Sequence, residues 1–95
     1  MSRARAGKLL GVPENAEQTA ERRRAFGQRL RAARERAGLS QTATAKAAGM
    51  DRSFYVEIES GRHSVSVDRL HDIAEAIGVP IKELFGEEPS TPVES

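Results

Sequence analysis

Residues 39–61 read Leu-Ser-Gln-Thr-Ala-Thr-Ala-Lys-Ala-Ala-Gly-Met-Asp-Arg-Ser-Phe-Tyr-Val-Glu-Ile-Glu-Ser-Gly. Two short helices joined by a tight glycine turn are written into this stretch. Ser40 is a good N-cap, and Gly49 stops the helix it opens. Alanine fills the interval, which favours the helix and permits close approach of another. Gly49 takes a left-handed turn at low steric cost. Asp51 is a second N-cap and Gly61 a second stop. Tyr55 and Ile58, with Met50 just before the cap, supply the inward face of the second helix.

Working outward, Phe26, Leu30, Ala33 and Ala37 recur at the spacing of one helix face, which predicts a helix over residues 21–37. Gly38 follows where a left-handed cap belongs. Beyond the central pair, Ser66 caps a helix whose stripe is Val67, Leu70, Ile73, Ala74 and Ile77, closed by Gly78. Pro80 suits the start of a last short helix carrying Ile81, Leu84 and Phe85. No stretch has a clean period of two. The expectation is an all-α, compact five-helix bundle with a helix-turn-helix over residues 21–86. Residues 1–20, punctuated by Gly7, Gly11 and Pro13, read as a flexible arm, and residues 87–95 as a disordered acidic tail.

The chain has 95 residues, enough for one domain with tails. It has no Cys, so disulfides, thiolate metal sites and a Cys nucleophile are excluded. His63 and His71 are too few for a histidine metal site and read as loop and surface residues. No metal, cofactor or small-molecule ligand is expected. No Ser/His/Asp set or phosphate-cradling glycine loop is present, which argues against an enzyme. No apolar run approaches the ~20 residues of a membrane helix, and a secretory signal lacks its apolar core. The expected setting is the cytoplasm. Net charge is +1, but residues 1–38 carry ten Arg and Lys against four Glu. Such a basic region suits an anionic partner, or is a solvated helix face with Arg–Glu pairs.

A helix held rigidly away from a domain body fits the major groove of DNA, with its first turn at the base edges. The ordered set of residues in 30–85 supports that use. Leu30-Arg31, Arg34, Gly38-Leu39-Ser40-Gln41, Ala45, Gly49, Asp51-Arg52-Ser53, Ile58-Glu59, Gly61, Ser66, Leu70, Ile73-Ala74, Gly78-Val79 and Leu84-Phe85 together resemble the Cro and phage-repressor type of helix-turn-helix domain, the XRE family. Asp51-Arg52-Ser53-Phe54-Tyr55 also resembles the recognition-helix start of restriction–modification controller proteins. The resemblance implies an inter-helix ion pair between Arg34 and Glu59, and a phosphate contact for Gln41. Thr44 stands where the family usually has Leu, Ser60 where a basic residue is frequent, and Val65 where Pro is frequent.

Four side chains on the third helix are candidates for base contact. Arg52 can donate twice to guanine, Ser53 can donate or accept, and Val56 can touch a thymine methyl group. Glu57 either accepts from cytosine or pairs with Arg52 or Arg62; the second is favoured, because phosphates repel a free carboxylate. Arg62 and Ser64 are candidate phosphate contacts. Arg22, Arg23 and Arg24 either join them or are solvated charges. Ile81, Leu84 and Phe85 form either a dimer seam or simple closure of the core. The expected function is sequence-specific transcriptional regulation by a homodimer on a two-fold site in double-stranded DNA. The rival is an interaction module of the antitoxin or adaptor kind on the same fold.

Overall fold

The structure is a computed structural model and describes residues 13–86. Four α-helices and a closing 3-10 helix account for its elements: α1 (Pro13–Arg36), α2 (Gln41–Ala47), α3 (Arg52–Glu59), α4 (Val67–Ile77) and the 3-10 turn Ile81–Phe85. The expected helix starts at the central pair and at α4 are where the caps lie. Ser40 Oγ accepts from the Ala43 amide at 2.9 Å, Asp51 Oδ2 from Phe54 at 3.3 Å, and Ser66 Oγ from Arg69 at 3.2 Å. Leu30, Tyr55, Ile58, Ile73 and Leu84 form the centre of the core, all fully buried.

Four expectations need correction. The first helix begins at Pro13 rather than residue 21, so residues 13–20 belong to it and not to an arm. Proline is preorganised for the first turn of a helix, and the run after it holds no breaker. Residues 1–12 and 87–95, read as arm and tail, lie outside the described residues. The last short helix is 3-10, not α. Val67, assigned to the inward stripe, is 68% exposed, because α4 first meets the core one turn later at Leu70. Ala37 is likewise exposed, just past the end of α1.

α1 and α3 meet backbone to backbone. Gly27, buried in the middle of α1, lies so close to the end of α3 that an added Cβ would sit 2.2 Å from the Glu59 carbonyl oxygen. The Ile58 carbonyl oxygen would be 2.9 Å away. Gly61 returns the contact from the other side: with φ +84°, its hydrogen faces Arg24, whose Cα would be 2.9 Å from a Cβ there. A glycine inside a helix costs about 1 kcal/mol against Ala. Here that cost secures a helix crossing too close for any side chain.

At the same crossing a buried carboxylate ties three helices. Arg34 of α1 donates to Glu59 through Nε at 2.6 Å and Nη2 at 3.2 Å. Tyr55 Oη donates to the same carboxylate at 2.7 Å and Gln41 Nε2 at 3.0 Å. The third guanidinium nitrogen, Nη1, donates to the Leu39 carbonyl at 2.8 Å and anchors the approach to α2. The side chains of Arg34 and Glu59 are only 9% and 4% exposed. Burial alone would raise the Glu59 pKa, but the bonds from Arg34, Tyr55 and Gln41 outweigh it and hold the carboxyl below its ordinary value. The hydrogen bond to Glu59 raises Arg34, against the effect of burial. Burial first, and then the bond to Glu59, push the Tyr55 phenol above its usual range.

One buried polar atom stands apart. The Thr44 hydroxyl is enclosed and has no hydrogen-bond partner among the described residues. An unpaired buried hydroxyl costs of order 1–3 kcal/mol.

Three outcomes follow for stability. Gly27→Ala should destabilise by about 1–3 kcal/mol despite its better helix propensity, because the helices must part; urea denaturation reads this directly. Thr44→Val keeps the shape and removes the unpaired hydroxyl, so it should raise the urea midpoint, by about 1 kcal/mol. Glu59→Gln leaves a buried guanidinium without its counter-charge and should cost about 3–5 kcal/mol at pH 7. A carboxyl with a lowered native pKa stabilises above its unfolded value of about 4.3 and loses that contribution as pH falls through the native one. The gap between Glu59→Gln and wild type should therefore narrow below about pH 4.3, as measured by thermal melts across pH.

Candidate nucleic-acid interface

The clamped end of α3 is its C-terminus. Its N-terminus stands free: Asp51, Arg52 and Ser53 are all exposed, on the first turn after the glycine bend. Asp51 spends one carboxylate oxygen on the Phe54 amide. Val56 and Glu57, one turn further on, are half-buried. Arg52, Ser53, Val56 and Glu57 thus run from the open tip of the helix toward its base.

The side chains on this surface have partners that sequence reasoning placed differently. Among the described residues Arg52 pairs with no carboxylate; its Nε donates to Thr42 Oγ1 of α2 at 3.0 Å. Glu57, expected to pair with Arg52 or Arg62, instead lies 3.1 Å from His63 Nε2. The turn at Gly61 brings residue 63 back beside the helix, where its ring also meets Phe54 at 5.3 Å between centroids. His63, read as a plain loop residue, therefore belongs to this surface. Phe54 and Glu57 at i, i+3 marked the helix face in advance, but nothing local located the histidine on it.

Gln41, half-buried, gives one amide hydrogen to Glu59. A primary amide has two, so the other remains for an external acceptor. Arg62 and Ser64 are exposed in the loop between α3 and α4. Arg22, Arg23 and Arg24 sit on α1 toward the clamped end of α3, since Arg24 abuts Gly61. Arg24 thus lies at the clamped end of α3 rather than at its open tip.

The residues offered for a dimer seam divide. Leu84 is fully buried within its own chain, so it closes the core and is unavailable to a second copy. In a 3-10 helix residues i and i+3 eclipse, which turns Ile81 and Leu84 inward together and leaves the next residue outside. Ile81 is half-buried and Phe85 is 58% exposed, with the Phe26 ring 5.5 Å from its own. A shallow cleft beside this pair is lined by Arg22, Ala25, Arg29 and Leu84. Among the described residues no group of His, Asp and Glu is placed to hold a metal ion, and no helix is long and apolar enough to cross a membrane.

Comparison with known proteins agrees with this geometry. A family model described as a helix-turn-helix domain matches residues 25–84. The control protein C.MunI of Mycoplasma sp. is 36% identical over 63 residues, 65% of this chain and 85% of that one. The immunity repressor protein of Bacillus phage phi105 is 36% identical over 62 residues, which is 65% of this chain but only 43% of the repressor. The chain thus spans less than half the length of that relative. Among solved structures, the restriction-modification controller protein C.AhdI of Aeromonas hydrophila superposes with a TM-score of 0.64 at 40% identity, over 65% of this chain and 94% of that one. The clp gene regulator ClgR of C. glutamicum superposes with a TM-score of 0.63 at 29% identity, over 65% and 80%. On these matches the chain belongs to the helix-turn-helix domain family and resembles repressor and controller-protein members of it.

Proposed function

We propose that the chain is a sequence-specific DNA-binding transcriptional regulator that binds a two-fold operator as a homodimer. The observation that carries this reading is the asymmetry of α3. Its C-terminal end is locked by the glycine crossing and the Glu59 carboxylate, while Arg52 and Ser53 stand exposed at its open end. A rigid helix end of this size enters a major groove and places an arginine fork against guanine O6 and N7. Gln41, Arg62 and Ser64 flank it as phosphate contacts, which set register rather than sequence. In this reading Val56 contacts a thymine methyl group. Glu57 is engaged by His63 at 3.1 Å rather than left free beside the phosphates.

One short helix reads too few base pairs for useful specificity. Two copies on successive major grooves, ~34 Å apart, double the reading. The exposed Phe85, packed against Phe26, is the apolar surface we assign to the contact between copies. Names of relatives support the regulatory role: one is an immunity repressor, one a control protein, and one a transcriptional regulator.

Selection from a random duplex pool with the purified chain tests the reading. The expected result is a palindromic site with half-sites one helical turn apart. Arg52→Ala should weaken binding there by about 1–3 kcal/mol and relax the preference at one base pair of each half-site. Phe85→Glu should remain folded but sediment as a monomer and lose cooperative binding. A pool that stays unenriched would refute DNA recognition, and a wild type that is monomeric on its operator would refute the dimer.

A further inference from the structure

Arg52 is held by a neutral partner. Its Nε donates to the Thr42 hydroxyl at 3.0 Å, and no carboxylate bonds to it among the described residues. The nearby acids are otherwise engaged: Asp51 accepts from the Phe54 amide and Glu57 faces His63. Both Thr42 and Arg52 are exposed, so neither is needed to fill the core. Nη1 and Nη2 of Arg52 have no partner in the described part of the molecule.

We propose that Thr42 is the positioning residue for base recognition: its hydroxyl holds the Arg52 guanidinium by Nε, leaving Nη1 and Nη2 as the fork for one guanine. This inference rests on the DNA-binding reading above and adds to it the residue that sets specificity at that base. The chemistry favours a hydroxyl for the task. A free arginine has many rotamers, and much of that freedom is lost when it docks end-on. A tether at Nε removes part of that freedom beforehand, which strengthens the correct contact without adding a new one. A carboxylate would hold the guanidinium more firmly, but it would also cancel its charge and compete with guanine for the same hydrogens. Threonine orients without neutralising. The hydroxyl keeps its own hydrogen, since it serves Arg52 as an acceptor. The side chain is also short, so the arginine must lean back on α2, which fixes its direction relative to the clamped frame.

The test compares five forms of the full chain: wild type, Thr42→Val, Thr42→Ser, Arg52→Ala and the Arg52→Ala/Thr42→Val pair. Each is titrated with the selected operator and with the same duplex carrying A·T at the guanine that Arg52→Ala ceases to read. Thr42→Val should reduce the preference for guanine by about tenfold, within the range a bidentate arginine supplies. Its melting temperature and the salt dependence of its binding should match wild type. Thr42→Ser should keep the preference, and adding Thr42→Val to Arg52→Ala should change nothing further. A Thr42→Val protein with full preference, or one weakened equally on both duplexes, would overturn the assignment while leaving DNA recognition intact. A wild type that selects no sequence would remove the reading beneath it, and the positioning role with it.

Discussion

The carboxylate of Glu59 is the point on which the arrangement of helices depends. It accepts four hydrogen bonds from Arg34 on α1, Gln41 on α2 and Tyr55 on its own helix. Replacing such a group by apolar residues of the same shape often stabilises a protein, since desolvating two charges costs several kcal/mol. Its value here is geometric. Apolar contacts tolerate sliding and rotation, whereas a bidentate guanidinium with two further donors satisfies its partner in one arrangement only. The carboxylate therefore fixes the angle and register of α3 against both neighbouring helices. Half-satisfied, it would be worse than no charge at all, which makes the three helices cooperative.

The glycine crossing supplies what the carboxylate cannot, which is distance. Side chains between α1 and α3 would hold the axes 8–10 Å apart in ordinary packing. Gly27 and Gly61 remove them at the point of contact, so backbone touches backbone. Only then does the short reach from Arg34 to Glu59 close with good geometry. One constraint sets the spacing and the other the orientation, and both act on the C-terminal half of α3. An eight-residue helix is only ~12 Å long, so fixing one end fixes the direction of the other. The exposed first turn inherits its rigidity from residues it never touches.

What the sequence made legible follows from the range of the forces. Caps act within three residues, and Ser40, Asp51 and Ser66 were readable as helix starts for that reason. The apolar stripe of α4 was readable from Leu70 onward, where periodicity and burial coincide. Pro13 misled because proline both ends one element and begins another, and only the neighbouring turns decide which. Nothing local marked Gly27, since what it serves is a partner 32 residues away. Leu84 and Phe85 differ in burial because successive residues of the last turn face different ways, with Leu84 turned to the core. The hydroxyl of Tyr55, the hydroxyl of Thr42 and the ring of His63 had meaning only once α2, α3 and the following loop were set side by side. The resemblance to repressor-type domains carried the Arg34–Glu59 pair; no local pattern did.

The distribution of charge then bears on how such a surface discriminates. Non-specific affinity for DNA comes from neutralised phosphates and rises with their number. The basic stretch of this chain lies largely on α1, with Arg24 packed against the clamped end of α3, while α2 and α3 together carry only Lys46 and Arg52. On the proposed reading, phosphate contacts flank the reading end, where Arg62 is exposed and Arg69 Nη1 lies 3.4 Å from the Gly49 carbonyl. Selectivity on that reading comes from directional contacts at the base edges, and those are sensitive to placement. That requirement explains why so much of a small domain is given to holding one helix end still. The buried charge and the glycines of the crossing hold one end of α3 in place, and for the DNA reader proposed above a fixed helix end is a source of selectivity.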